Sequence, residues 1–157
     1  MSRNTVTVEE LDLTISRVIR ATPDRIWRAW TQPELLKQWF APRPVQVVSA
    51  EIDPRPGGAC NIVMRLPDGT EMDNPGCVLL AEPERKLVFT DALGPGFRPT
   101  GGGFMTAIIL IEPEGDGCRY SARVLHKSAE DRQKHEEMGF AEGWGTCLDQ
   151  LAELVEA

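Results

Sequence analysis

Two histidines are the only imidazoles in the sequence, and they are the first residues to consider for chemistry. Strand alternation predicts that His126 lies on an apolar side near a strand end, whereas His135 follows in a predicted helix. Because imidazole titrates near neutral pH, His126 is the candidate general acid or base, with Asp53 or Asp91 as the carboxylate that orients it. The alternative is a structural histidine that bonds to a backbone carbonyl.

Arg17 is a charged residue within the apolar face of the first predicted strand. A buried guanidinium needs a carboxylate partner or a route to water, and we predict a structural ion pair between Arg17 and Asp53. The alternative is that the guanidinium holds a carboxylate or enolate of a ligand. Arg17 and Asp53 are therefore the candidate polar anchors of a binding site.

Sequence motifs for nucleotide hydrolysis, dinucleotide binding, zinc proteolysis and serine hydrolysis are absent. The glycines at 101–103 precede a predicted strand, whereas phosphate is bound where a loop opens a helix. The two histidines and the widely spaced cysteines do not match zinc-ligand spacing, so we predict no metal and no cofactor. Free thiols are predicted at Cys60, Cys77, Cys118 and Cys147.

Composition and charge predict one globular domain over all 157 residues, with a core at about 11–155. The formal net charge of −7 gives no attraction to phosphate backbones or anionic lipid, so nucleic acid and membranes are excluded as partners. The N-terminal segment lacks a signal-peptide core, and no stretch approaches the roughly 20 apolar residues of a membrane span. We therefore expect a cytoplasmic monomer or homodimer.

Hydrophobic periodicity predicts the order strand, helix pair, about six strands and one long helix. The helix pair lies within residues 21–42, where Thr22 caps the first helix and Pro42 ends the second. The last helix is predicted from Ser128 to Val155 as one piece, although Gly139, Gly143 and Gly145 interrupt it. A bent antiparallel sheet wrapped around that helix is the α+β arrangement that buries all the apolar faces.

The sequence resembles the activator-of-Hsp90-ATPase-like (AHSA1) family of the START/Bet v 1-like, or SRPBCC, superfamily. The resemblance runs from about residue 11 to 155. The matching residues are Arg17, Ala21-Thr22-Pro23, Ile26-Trp27, Trp30-Thr31, Pro33-Glu34, Trp39-Phe40-Ala41-Pro42, Asp53, Arg55-Pro56-Gly57-Gly58, Pro67-Asp68-Gly69, Gly76, Leu87-Val88-Phe89-Thr90, His126, Gly143-Trp144, Leu148 and Leu151.

This resemblance implies a helix-grip fold, in which about seven antiparallel strands wrap around a long C-terminal helix and two short helices follow the first strand. It also implies a cavity for a hydrophobic ligand between the sheet and that helix. Core packing is the alternative role for each wall residue. The predicted ligand-binding residues are Trp30, Trp39, Ile62, Met64, Val78, Phe89, Met105, Ile108, Tyr120, Val124, His126, Met138, Trp144 and Leu148.

Three functions fit this fold, because one fold hosts many activities. The first is binding of a hydrophobic small molecule, aromatic or polyketide-like, without catalysis. The second is a cyclase, dehydratase or hydrolase that uses His126 in the same cavity. The third is co-chaperone or stress-response work. The eukaryotic co-chaperone of the family has a further N-terminal domain with an Asn- and Trp-rich motif that is missing from these 157 residues, so we expect no chaperone partner.

Overall fold

The computed structural model describes residues 3–157, which form eleven strands and four helices. The strands are β1 (Thr5–Val8), β2 (Asp12–Ile19), β3 (Gln46–Ile52), β4 (Cys60–Arg65), β5 (Glu71–Asn74), β6 (Cys77–Glu82), β7 (Lys86–Thr90), β8 (Leu93–Gly94), β9 (Arg98–Pro99), β10 (Thr106–Glu114) and β11 (Gly117–Leu125). The helices are α1 (Pro23–Thr31), α2 (Pro33–Leu36), α3 (Ala129–Glu137) and α4 (Phe140–Glu156).

The large sheet has six antiparallel strands in the order β1-β2-β11-β10-β7-β6, and a second sheet has the order β3-β4-β5. A bridge between Ala59 and Cys77, with a hydrogen bond from the Cys60 amide to the Gly76 carbonyl, connects the two sheets. The predicted fold class, an antiparallel sheet against a C-terminal helix, is confirmed. The exposed edge strand β1 was not predicted, since none of its residues is buried.

The inner face of the large sheet is apolar along three neighbouring strands, because every second residue points the same way. Helix α4 packs against β2 and α1 on this side. The buried residues of the face are Leu13, Ile15, Arg17 and Ile19 on β2, Ala107, Ile109 and Ile111 on β10, and Cys118, Tyr120, Ala122 and Val124 on β11.

Two short helices form within the predicted segment, but the second is shorter than predicted, because α2 ends at Leu36 and not at Pro42. The Thr22 hydroxyl accepts a hydrogen bond from the Arg25 amide at 3.4 Å, and Pro23 occupies the first helical position. Trp30 is on the buried face of α1, and the indole N–H of Trp39 donates to the Ala29 carbonyl at 3.0 Å. The pair therefore packs its aromatic residues toward the sheet.

The prediction of one long C-terminal helix is wrong, because the helix is interrupted at Gly139. This residue has φ 98°, a left-handed conformation that no helix interior contains. Helix α3 before the break is polar and buries only His135, whereas α4 after it carries the apolar face. Met138 lies at the break and is 68% exposed.

The predicted ion pair of Arg17 with Asp53 is also wrong. The Arg17 guanidinium lies 3.3 Å from Asp149 and 3.9 Å from Glu156, both on α4. The inner face of β2 packs against α4. Asp53 follows β3 in the other sheet and pairs with Arg55 at 2.6 Å. Arg17 thus ties α4 to the large sheet.

Substituting the glycine at the break is expected to destabilise the fold. Gly139→Ala forces an L side chain into positive φ, at a cost of about 1–2 kcal/mol in the free energy of unfolding. Gly143→Ala is the matched control in α4, where an added Cβ meets nothing within 4 Å and alanine gains about 0.5–1 kcal/mol. Urea unfolding measures both changes, and equal effects of the two substitutions would contradict the assigned break.

Candidate functional site

A cavity of about 250 Å³ lies between the large sheet, the segment around α1 and α2, and the first half of α4. Seven of the predicted binding residues line it: Trp30, Trp39, Met64, Met105, Tyr120, Trp144 and Leu148. The prediction missed six further wall residues, because nothing in their types distinguishes them from core or loop. These are Ile15, Phe40, Pro42, Ala122, Gly143 and Cys147.

The other predicted wall residues lie elsewhere. Ile62 and Phe89 border a second hollow, and Val78 and Val124 are fully buried in the core. Ile108 pairs with Arg123 on the outer face of the sheet, because its neighbours on β10 point inward. Met138 is exposed at the break before α4, so helical spacing does not carry it onto the cavity side.

The aromatic wall of the cavity is closely packed. The ring of Trp30 lies 5.0 Å from Trp39, 5.5 Å from Phe40 and 5.5 Å from Phe89, measured between centroids. The contacts with Trp39 and Phe40 are edge-to-face, whereas the ring of Phe89, behind the wall, is tilted. Favourable edge-to-face pairs add about 0.5–1.5 kcal/mol beyond the area they bury. The wall therefore holds its shape.

The polar groups at this wall are neutral. The indole N–H of Trp30 donates to the Tyr120 hydroxyl at 3.0 Å, and the Cys147 thiol donates to the Phe40 carbonyl at 3.3 Å. Burial raises the pKa of Tyr120, and it raises the pKa of Cys147 to about 12. Neither group ionises near neutral pH, so the cavity wall is without charge.

The second hollow, about 400 Å³, adjoins the first. Phe40, Met64 and Met105 line both and so form the partition between them. Two of these are methionines, whose unbranched side chains change rotamer easily. Asp73 and Asp91 line the second hollow, which makes it the more polar of the two.

His126 lies in neither of these hollows. It borders a shallow depression beside Phe104 and Lys127, near the end of β11. Its Nδ1 lies 2.9 Å from the Leu11 carbonyl oxygen, and its Nε2 lies 2.9 Å from Nδ1 of His135. A carbonyl only accepts, so His126 carries its proton on Nδ1, and His135 donates to the free Nε2 in the neutral pair.

The carboxylates predicted to orient His126 are engaged elsewhere. Asp53 pairs with Arg55, and one oxygen of Asp91 accepts the amides of Phe104 and Met105 at 2.7 and 3.1 Å. The partner that the sequence did not reveal is His135, because its helix reaches the strand end only in the folded chain. Among residues 3–157, no three acidic, histidine or cysteine side chains group closely enough to hold a metal.

The second imidazole is hard to protonate. Burial, and the charge of a neighbouring His126, lower the pKa of His135 to about 4, while Asp91 acts in the opposite direction. His135 also packs against the rings of Phe104 and Phe140. The pair thus links the end of β11 to the junction of α3 and α4.

An antiparallel sheet packed around a C-terminal helix, with a helix pair after the first long strand, defines the START/Bet v 1-like class. Within that class, the chain belongs to the family described as activator of Hsp90 ATPase homolog 1-like protein, whose model matches residues 20–156. No curated protein matches the sequence.

Solved structures support the same fold. A protein of Nitrosomonas europaea is 42% identical, with a TM-score of 0.92 over 96% of this chain and 97% of that one. A Mycobacterium smegmatis protein is 27% identical, with a TM-score of 0.79 over 98% of each chain. An AHSA1 protein of Silicibacter pomeroyi is 23% identical, with a TM-score of 0.69 over 90% of this chain and 95% of that one, and shows the fold alone.

Within residues 3–157, every helix is too short or too polar to cross a bilayer. The cysteines carry free thiols; three are buried and Cys147 is half-buried.

The lowered pKa of His135 predicts that the free energy of unfolding decreases as the pH is lowered from about 6.5 to about 4. In that window the imidazole is protonated in the unfolded chain but not in the folded one, which favours unfolding. The contribution of the neutral imidazole is therefore complete above about pH 6.5 and is lost progressively down to about pH 4. The slope from one proton is at most about 1.4 kcal/mol per pH unit. Urea unfolding across the window measures it.

His135→Gln is the variant that isolates this contribution, because the carboxylates titrate in both proteins. The variant is expected to lose stability less steeply as the pH falls. Parallel curves for the two proteins would show that His135 titrates alike in the folded and unfolded states.

Proposed function

We propose that this protein binds an apolar small molecule in the cavity between the large sheet and α4. The observation that carries the proposal is an uncharged space of about 250 Å³ lined mainly by aromatic and aliphatic side chains. Protein interiors pack so closely that few voids exceed one water molecule. Apolar pockets with few polar groups are the common form of small-molecule sites.

The size of the cavity indicates the size of the ligand. An apolar cavity of roughly 150 Å³ holds benzene, so about 250 Å³ admits a fused two-ring system. A longer ligand would enter the second hollow if Phe40, Met64 and Met105 moved aside. Aromatic or polyketide-like compounds therefore agree with the space available.

Gly143 supports the proposal from the helix side. A glycine inside a helix is about 1 kcal/mol less favourable than alanine. Here it lines the cavity, and an added Cβ would meet nothing within 4 Å. Gly145, by contrast, lies against Asn4 and Ile15, where a Cβ would make ordinary contacts at 3.5 and 3.9 Å. The space in front of Gly143 is thus available to a ligand.

The chemistry of the wall supports binding in preference to catalysis. Among the described residues that line it, the titratable side chains are those of Tyr120 and Cys147, and burial keeps both protonated. His126, the candidate acid or base, is bonded to Leu11 and His135 outside the cavity. The proposal also includes a cytoplasmic location, with which four free thiols agree.

Filling the cavity from α4 is expected to abolish binding. Gly143→Leu places an isobutyl group in the space, and the affinity for a neutral fluorescent two-ring probe, 1-naphthylamine, should fall about tenfold or more, equivalent to about 1.4 kcal/mol. Glu142→Leu is the matched control, since it adds the same side chain at the neighbouring exposed position. Probe fluorescence measures both.

Wild type and the Glu142 variant are expected to bind the probe saturably with similar affinity. If the Gly143 variant folds, as shown by circular dichroism, and binds like wild type, the ligand does not occupy this cavity. If wild type itself shows no saturable binding to the probe or to other neutral aromatic compounds, the proposed function is wrong.

A further inference from the structure

We infer that the cavity selects ligands with an uncharged hydrogen-bond acceptor, such as a ketone or aldehyde oxygen, and that the Tyr120 hydroxyl donates to this atom. The inference rests on the proposed function and adds a chemical class to it. It follows from three observations on residues 3–157: one buried donor lacks an acceptor, other polar groups of the wall already donate to backbone carbonyls, and no cation lines the cavity.

The donor is the hydroxyl of Tyr120, a residue that is 3% exposed and lines the cavity. Its oxygen accepts the indole N–H of Trp30 at 3.0 Å. Within residues 3–157, no atom accepts the hydrogen of the hydroxyl itself. A buried donor without an acceptor is unfavourable, because its hydrogen bond to water is lost on folding and no hydrogen bond within the protein replaces it.

The position of this hydroxyl is fixed by its neighbours. Trp30 is held between the rings of Trp39 and Phe89, and its N–H occupies one lone pair of the Tyr120 oxygen. The donor therefore reaches the ligand from a rigid wall. Preorganised groups bind with a smaller loss of conformational freedom than mobile ones.

The remaining polar side chains of the wall offer few other donors for a ligand. The Trp39 N–H donates to Ala29, and the Cys147 thiol donates to Phe40. In the part of the chain that the structure describes, the other side-chain donor of the wall without an acceptor is the indole N–H of Trp144. No carboxylate, amide or imidazole lines this cavity, so a ligand finds donors there and no strong side-chain acceptor.

The absence of charge among the described residues of the wall favours an uncharged acceptor over a carboxylate. No lysine or arginine is among the cavity residues. The nearby buried cation, Arg17, is paired with Asp149 and Glu156 on α4 and does not line the cavity. A carboxylate would be buried without a counter-charge, which is far less favourable than burying a carbonyl.

Three naphthalenes of matched shape test the inference: acetylnaphthalene, isopropenylnaphthalene and naphthoate. The first two differ only by exchange of the carbonyl oxygen for a methylene group. We expect the preference of wild type for the ketone over the alkene to fall about three- to tenfold in Tyr120→Phe. Trp144→Phe keeps the ring, removes the other donor, and should leave the preference unchanged.

A second measurement does not depend on the stability of the Tyr120 variant. Infrared spectra of the carbonyl-labelled ketone bound to wild type should show the carbonyl stretch at lower frequency than in a hydrocarbon solvent. The same shift is expected in Trp144→Phe and is expected to disappear in Tyr120→Phe. An unshifted stretch in wild type would overturn the inference.

The outcomes separate this inference from the proposed function. If the alkene binds saturably and the ketone preference is the same in wild type and Tyr120→Phe, the cavity binds ligands but Tyr120 does not select them. Tighter binding of naphthoate than of the ketone would also overturn the inference. If none of the three binds, the inference and the proposed function fail together.

Discussion

The inner face of the large sheet is apolar along β2, β10 and β11, and α4 and the α1–α2 segment must cover it. Arg17 is the charged exception on this face, and its pairing with Asp149 and Glu156 aligns α4 with β2. Removing one partner of such a buried charge is far less favourable than removing the pair. The remaining features of the fold, the cavity included, depend on where α4 lies.

The break at Gly139 separates two environments that a continuous helix would have merged. Before it, α3 is polar and contributes His135 to a buried imidazole pair at the end of β11. After it, α4 presents Gly143, Trp144 and Leu148 to the cavity. Titratable imidazoles and apolar space are thus placed at different points of the molecule. This separation is the structural reason for favouring a binding protein over a catalyst.

The cavity wall combines rigidity on one side with adaptability on another. Trp30 and Tyr120 are joined by a hydrogen bond and packed among aromatic rings, which restrict the movement of the wall next to the sheet. Met64 and Met105 stand at the partition toward the second hollow, where rotamer changes alter the space at little cost. This combination suits the proposed class of ligand, which has one fixed polar atom and an apolar part of variable shape.

The sequence by itself determined the fold class and most of the element types. Alternation defined β2 and β11, and Thr22 with Pro23 defined the start of α1, because these signals act between neighbouring residues. The partner of Arg17, the contact of His126 with His135, and the outward position of Ile108 were decided only by the tertiary structure. Each depends on which elements meet, and residues such as His126 and Leu11, 115 positions apart, carry no local sign of their contact.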